Sequence, residues 1–200
     1  QIKQAEQENR ISNVPFVSNL RVDTWWDLGM GDATAIWFSQ NIGKEIRFID
    51  YYEASGEGLN HYVKVLTDKK YIYNNHYAPF DIQVKEIGTG RSRKEVAKSL
   101  GIDFKIVSQL SIEDGIQAVR SIFNQCWFDR EKCGRGLGAL KEYHKDYDED
   151  RKCFRDKPHH DWSSHGADAF RYFAVGFKEE IKQMVMPEGL PMMSEDPYYR

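Results

Sequence analysis

The stretch Arg21-Val22-Asp23-Thr24-Trp25-Trp26-Asp27-Leu28, closed by Gly29-Met30-Gly31-Asp32, opens the region that decides the architecture. It reads as a strand running into a tight, glycine-rich turn. Residues 33–40 are apolar and β-rich. Asn41-Ile42-Gly43-Lys44 is a second turn, and residues 45–53 carry Ile46, Phe48, Ile49 and Tyr51. Three strands joined by two short loops predict an antiparallel meander.

Beyond Gly56 and Gly58 the apolar period changes from two to about 3.6, with Leu59, Tyr62, Val63 and Leu66 on one helical face. Residues 71–80 read as a fourth strand ending at Asp81. Ser92, with Glu95 three residues on, caps a helix that Gly101 stops. A short strand is expected at 104–107. A helix capped by Ser111 follows over 111–125, and another short strand over 126–128. The spacing predicts helix over 138–147, a solvated acidic turn at 146–150 and a basic hairpin arm at 151–157. Ser164 caps a last helix to about residue 180. The order is an antiparallel meander followed by alternating helix and strand. This predicts an α/β fold with a central mixed sheet flanked by helices. The expected organisation is a linker arm over 1–19, one domain over 20–180 and a flexible tail over 181–200.

Two hundred residues fit one such domain, and 40% hydrophobic residues suffice for its core. No apolar run approaches the ~20 residues of a membrane-spanning helix, and the polar opening residues are no signal peptide. The first residue is Gln rather than Met, so the chain is expected to be a piece of something longer. A formal charge of −3 excludes a protein that holds nucleic acid by bulk basicity. Any grip on DNA must be local. Cys126, Cys133 and Cys153 are too few and too irregular for a disulfide framework and suit a reducing cytoplasm. A zinc site from Cys153, His159 and His160 lacks a supporting Cys-x-x-Cys pair. Three free thiols are expected.

Three carboxylates stand at element ends: Asp27 after the first strand, Asp81 after the fourth, and Asp168 in the first turns of the last helix. Three converging carboxylates repel one another unless cations lie among them. Oxygen-only ligation suits Mg²⁺ or Mn²⁺, and a pair of such ions serves phosphodiester hydrolysis. Each residue also has a structural reading. Asp27 can accept backbone donors of its turn, Asp81 can end a strand, and Asp168 can favour the positive end of a helix.

The run His160-Asp161-Trp162-Ser163-Ser164-His165-Gly166-Ala167-Asp168-Ala169-Phe170-Arg171-Tyr172 resembles the closing motif of the large terminase nuclease domains of tailed bacteriophages. Asp27-Leu28-Gly29, with Asp32 and Thr34-Ala35, is similar to that family's first-strand motif. Ala78-Pro79-Phe80-Asp81 is similar to its Pro-x-Asp strand end. The resemblance spans about residues 20–176. It implies a ribonuclease H-like fold and a two-metal endonuclease that cuts concatemeric double-stranded DNA at the start and end of genome packaging. Asp27, Asp81 and Asp168 would hold two Mg²⁺ or Mn²⁺ ions, with Asp27 bridging them. His165 would orient a carboxylate, touch a metal or pass a proton. Its alternative is a backbone-bonded residue at the start of the helix. Asp32 and Asp161 are outer candidates, one to hold metal through water and the other to orient His165 or its loop. The implied partners are DNA, an upstream ATPase domain, the small terminase subunit and the portal protein. The implied location is the host cytoplasm. No Gly-x-x-x-x-Gly-Lys-Ser/Thr loop is present, so Gly134-Arg135-Gly136-Leu137-Gly138 is expected to be a loop or the start of a helix.

Lys85, Arg91, Arg93, Lys94 and Lys98 follow Asp81, and Arg151, Lys152, Arg155 and Lys157 precede the closing motif. Lys85, Arg91, Arg93 and Lys94 are candidates for phosphate contacts, against the alternative of a solvated surface. Two other functional classes remain open. One is a ribonuclease H-like resolvase or transposase, the other a non-catalytic docking module of a packaging assembly.

Overall fold

The computed structural model describes residues 1–29, 32–149 and 151–185. Its elements run α1 (Ile2–Gln7), β1 (Ile11–Ser12), β2 (Val22–Leu28), β3 (Ala33–Ile42), β4 (Glu45–Ser55), α2 (Leu59–Lys69), β5 (Tyr73–Ala78), α3 (Arg93–Ser99), β6 (Phe104–Ile106), α4 (Ile112–Ile122), β7 (Cys126–Asp129), α5 (Gly134–Glu142), β8 (Lys145–Asp148), β9 (Cys153–Pro158) and α6 (Trp162–Val185). A seven-stranded sheet has the order β1-β7-β4-β3-β2-β5-β6. The meander β2-β3-β4 is antiparallel. β5 runs parallel to β2, β6 to β5 and β7 to β4. This is the expected α/β fold with a central mixed sheet.

The side-chain alternation of a strand divides the apolar residues between two faces. On β2, Trp25 enters one core and Trp26 the other. Trp25, Trp37, Phe48 and Phe128 meet Phe170 and Phe173 of α6 on one face. Trp26, Ile36 and Phe38 meet Tyr62 and Leu66 of α2 on the other. Asp27 therefore points to the α6 side. On β4 the partner register skips Ile49 between Phe38 and Ser39. That bulge lets Phe48 and Tyr51, three residues apart, reach the same core.

Two caps form as expected. The Ser92 side chain accepts from Glu95 N and the Glu95 carboxylate accepts from Ser92 N, completing a capping box. Ser111 accepts from Asp114 N. The basic arm 151–157 pairs back against β8 as expected.

Several expectations are corrected. The arm 1–19 is not a free linker. Ala5 is fully buried, β1 pairs parallel with β7, and buried Arg10 donates to the carbonyls of Phe123 (2.9 Å) and Cys126 (2.8 Å). Three apolar anchors, Ala5, Ile11 and Val14, suffice to dock a mostly polar segment. The fourth strand stops at Ala78, and Asp81 lies in a 3₁₀ turn over Phe80–Gln83 that follows Pro79. Helix α5 starts at Gly134 and ends at Glu142, so 145–148 is strand rather than helix. Gly136 permits that start, because a Cβ there would lie 2.5 Å from the Trp37 ring. Helix α6 runs to Val185, past the expected end at residue 180. The remainder of the expected tail, from residue 186, lies outside the described residues, as do Met30, Gly31 and residue 150. All three cysteines are free thiols, two of them buried.

Candidate active site

Helix α6 lies across the meander with almost no clearance. Trp37 Nε1 donates to the Gly166 carbonyl at 2.8 Å. A Cβ on Gly166 would meet Tyr51 Oη at 2.7 Å and Ala139 Cβ at 2.9 Å. The close approach sets the first turns of α6 over the end of β2. His165 and Asp168, three residues apart, share the face turned to it.

Asp27 is hydrogen-bonded to His165, with 3.4 Å between Oδ2 and Nδ1. Burial raises the Asp27 carboxyl above its ordinary range. The bond to His165 opposes this, and the charges of Asp168 and Asp81 add to it. The same three carboxylates, Asp27, Asp168 and Asp81, act with burial to raise the Tyr172 phenol, against Arg171. Strand β2, the 3₁₀ turn and α6 thus bring the three acids into one electrostatic neighbourhood. His165, 8% exposed in its side chain, is raised chiefly by its bond to Asp27, against burial, with the charges of Asp27 and Asp32 assisting.

Each outer carboxylate has its own holder. Arg93 Nη2 donates to Asp81 Oδ2 at 2.9 Å, and Arg93 Nη1 to the Leu28 carbonyl at 2.6 Å. Arg171 Nη2 (3.0 Å) and the Tyr143 hydroxyl (3.2 Å) donate to Asp168 Oδ1. Asp81 Oδ1 is shielded from solvent and has no hydrogen-bond partner among the described residues, although the side chain as a whole is 47% exposed. An unsatisfied carboxylate oxygen is the electronic situation a hard cation relieves.

The outer candidates separate. Asp32 faces the site, 3.0 Å from His165 Nε2. Asp161 does not touch His165. Its Oδ1 accepts from Ser163 N and Oγ, at 2.8 and 2.6 Å, so it caps the start of α6 in place of Ser164. Ser164 instead lies inside the first turn. Of the four candidates for phosphate contacts, Lys85 and Arg91 are exposed and Lys94 is half-buried. Arg93 turns inward to Asp81, because its place in the first turn after the Ser92 cap aims it at the end of β2. Sequence reasoning missed Arg93 as a holder of Asp81, Tyr143 as a donor to Asp168, and His160, whose Nε2 is 3.1 Å from Asp32 Oδ2.

No protein-family model and no curated protein matches the chain. Solved structures do. The large terminase of the thermophilic bacteriophage D6E superposes with a TM-score of 0.64 at 16% identity, over 85% of this chain. The chain spans 43% of that protein's length. The P22 large terminase nuclease domain superposes with a TM-score of 0.63 at 15% identity, over 86% of this chain and 89% of that one. The nuclease domain of the bacteriophage SPP1 large terminase, solved with bound Mn, gives 0.57 at 12%, over 80% and 86%. The fold is that of the large terminase nuclease domains.

Proposed function

We propose that this chain is a metal-dependent DNA endonuclease domain of a phage large terminase. The reading proposed is cutting of concatemeric double-stranded DNA at the beginning and end of genome packaging, in the host cytoplasm. What supports it is the mutual electrostatic influence of Asp27, Asp81 and Asp168, carried by a strand, a turn and a helix. The donor set is all oxygen and includes one hidden, unpartnered oxygen on Asp81. Such a set fits Mg²⁺ or Mn²⁺ and selects against metals that prefer nitrogen or sulfur. Asp27, Asp81 and Asp168 would hold the ions, two in number on this reading. When bound, such ions neutralise phosphate charge and ease ionisation of the attacking water.

The protein residues then have separate tasks. Arg93 and Arg171 fix the outer carboxylates in orientation. His165, with Nδ1 on Asp27, would deliver a proton from Nε2, when that nitrogen is protonated, toward a leaving oxygen. Lys85, Arg91 and Lys94 contact DNA phosphates without reading bases. The ATPase that drives packaging, the small subunit and the portal are the partners this reading requires. Among the described residues, no helix is long and apolar enough to cross a membrane.

The test is nicking of supercoiled plasmid by the domain with Mn²⁺, Mg²⁺ or EDTA, beside Asp27→Ala and Asp168→Ala. Metal-dependent nicking abolished by both substitutions is expected. A folded protein inert with every metal would move the docking-module reading ahead. Preference for four-way junctions would favour a resolvase.

A further inference from the structure

Beside the carboxylate centre, a second set of donors converges. Asp32 Oδ1 lies 3.0 Å from His165 Nε2, and Asp32 Oδ2 lies 3.1 Å from His160 Nε2. One nitrogen from each imidazole and one carboxylate oxygen fall within 4.8 Å of one another. The far sides of both rings are already committed. His165 Nδ1 faces Asp27 Oδ2, an acceptor, and so carries hydrogen. His160 Nδ1 is 3.1 Å from Ser164 Oγ. That hydroxyl donates its proton to the Asp161 carbonyl, so it accepts from His160. In the neutral imidazoles both Nε2 atoms therefore present lone pairs to the Asp32 carboxylate. Three electron-rich atoms at that spacing repel unless protons or a metal cation join them. A histidine whose distal N–H is held by a carboxylate or hydroxyl is also the usual support of a metal-bound imidazole.

We propose that Asp32, His160 and His165 form a binding site for a borderline divalent transition-metal ion such as Zn²⁺ or Co²⁺, distinct from the oxygen-only centre. Two imidazoles and one carboxylate favour such ions over Mg²⁺. Three protein donors leave the remaining coordination to solvent. An ion there occupies the nitrogen of His165 that would otherwise exchange protons, so it links metal supply to the neighbouring centre. It also ties residue 32, after β2, to the start of α6.

The test is Co²⁺ titration of the 200-residue protein in excess Mg²⁺, read by visible absorption. Histidine-bound, low-coordinate cobalt gives strong visible bands, whereas cobalt in an all-oxygen site gives weak ones. Strong bands that Zn²⁺ displaces are expected in the wild type. His160→Ala and His160→Gln should weaken cobalt binding at least about tenfold while melting like the wild type without metal. Asp168→Asn, which disables the carboxylate centre, should keep the bands, so this site is scored apart from nuclease activity. Bands that survive both His160 substitutions, vanish with Asp168→Asn, or never appear in the wild type overturn the assignment. In the last case protons alone join the two histidines to Asp32.

Discussion

Arg93 holds Asp81 with one arm of its guanidinium and the backbone at Leu28 with the other, at 2.9 and 2.6 Å. It therefore clamps the 3₁₀ turn to the strand end that bears Asp27. Removing it frees one carboxylate while leaving the exposed basic surface intact. Arg93→Ala should lower plasmid nicking roughly 10–100-fold, the range for groups that orient metal ligands, without altering its dependence on salt. Joint replacement of Lys85, Arg91 and Lys94 by Ala should instead flatten the salt dependence by up to about 0.9 in log–log slope per lost phosphate contact. A flatter slope in Arg93→Ala would return that residue to the DNA-facing group.

Asp27 carries a charge that burial disfavours, and its carboxyl is raised above the ordinary 3.8. A raised acid contributes stability below its unfolded pKa and loses it as pH rises through the folded value. The metal-free domain should therefore be more stable as Asp27→Asn than as wild type at neutral pH. The gap should close below pH 3.8. Mn²⁺ should stabilise the wild type more than the variant. Thermal melts across pH, with EDTA or Mn²⁺, check this. A variant that melts lower than wild type at pH 7 in EDTA would contradict it.

His76 is a second buried titrating group, remote from the acids in its cause. Burial pushes its imidazole down to about 4, and Thr24 Oγ1 sits 2.6 Å from its Nδ1. A depressed histidine contributes stability above its unfolded value of about 6.5 and loses it as pH falls toward 4. His76→Gln, which keeps a polar group beside Thr24, should lack this acid sensitivity. Urea unfolding at pH 7 and pH 4.5 should show the wild type losing stability relative to the variant. Parallel losses would remove His76 from the account.

The closeness of α6 to the sheet depends on the missing side chain at Gly166. Gly166→Ala should cost about 1–3 kcal/mol, as overpacking does, and should lower nicking by lifting His165 and Asp168 from Asp27. Gly88→Ala, with nothing within 4 Å of the added carbon, is the control. Equal denaturation midpoints for the two would show that Tyr51 and Ala139 yield without effort.

The meander and the main helices were legible because their apolar residues recur with clear periods and their caps are local. Asp27, Asp81 and Asp168 are proposed from the wording around them. Arg93 was not, since a run of basic residues looks uniformly exposed in sequence. Only the helical phase set by Ser92 shows which one turns inward. The His160–Asp32 pairing spans 128 positions and leaves no local trace. Strand β8 was hidden because Lys145-Asp146-Tyr147-Asp148 is polar on both faces and pairs only with the neighbouring hairpin arm. The docking of α1 and β1 was hidden for a related reason, its anchors being three apolar side chains and one buried arginine.

Trp25, Trp26 and Trp37 are sealed in the two cores and Trp127 is half-buried, whereas Trp162, at the first position of α6, is 40% exposed. The Arg135 guanidinium lies 3.9 Å from its ring centroid. The indoles thus differ optically. The buried ones emit at short wavelength out of reach of dissolved quenchers, and Trp162 emits at longer wavelength within their reach. Because Trp162 is two residues from His160 and three from His165, the protein carries a built-in fluorophore at the threshold of its acidic centre. Its quenchable emission gives a label-free signal of what happens there, against the emission of the sealed indoles, which the quencher does not reach.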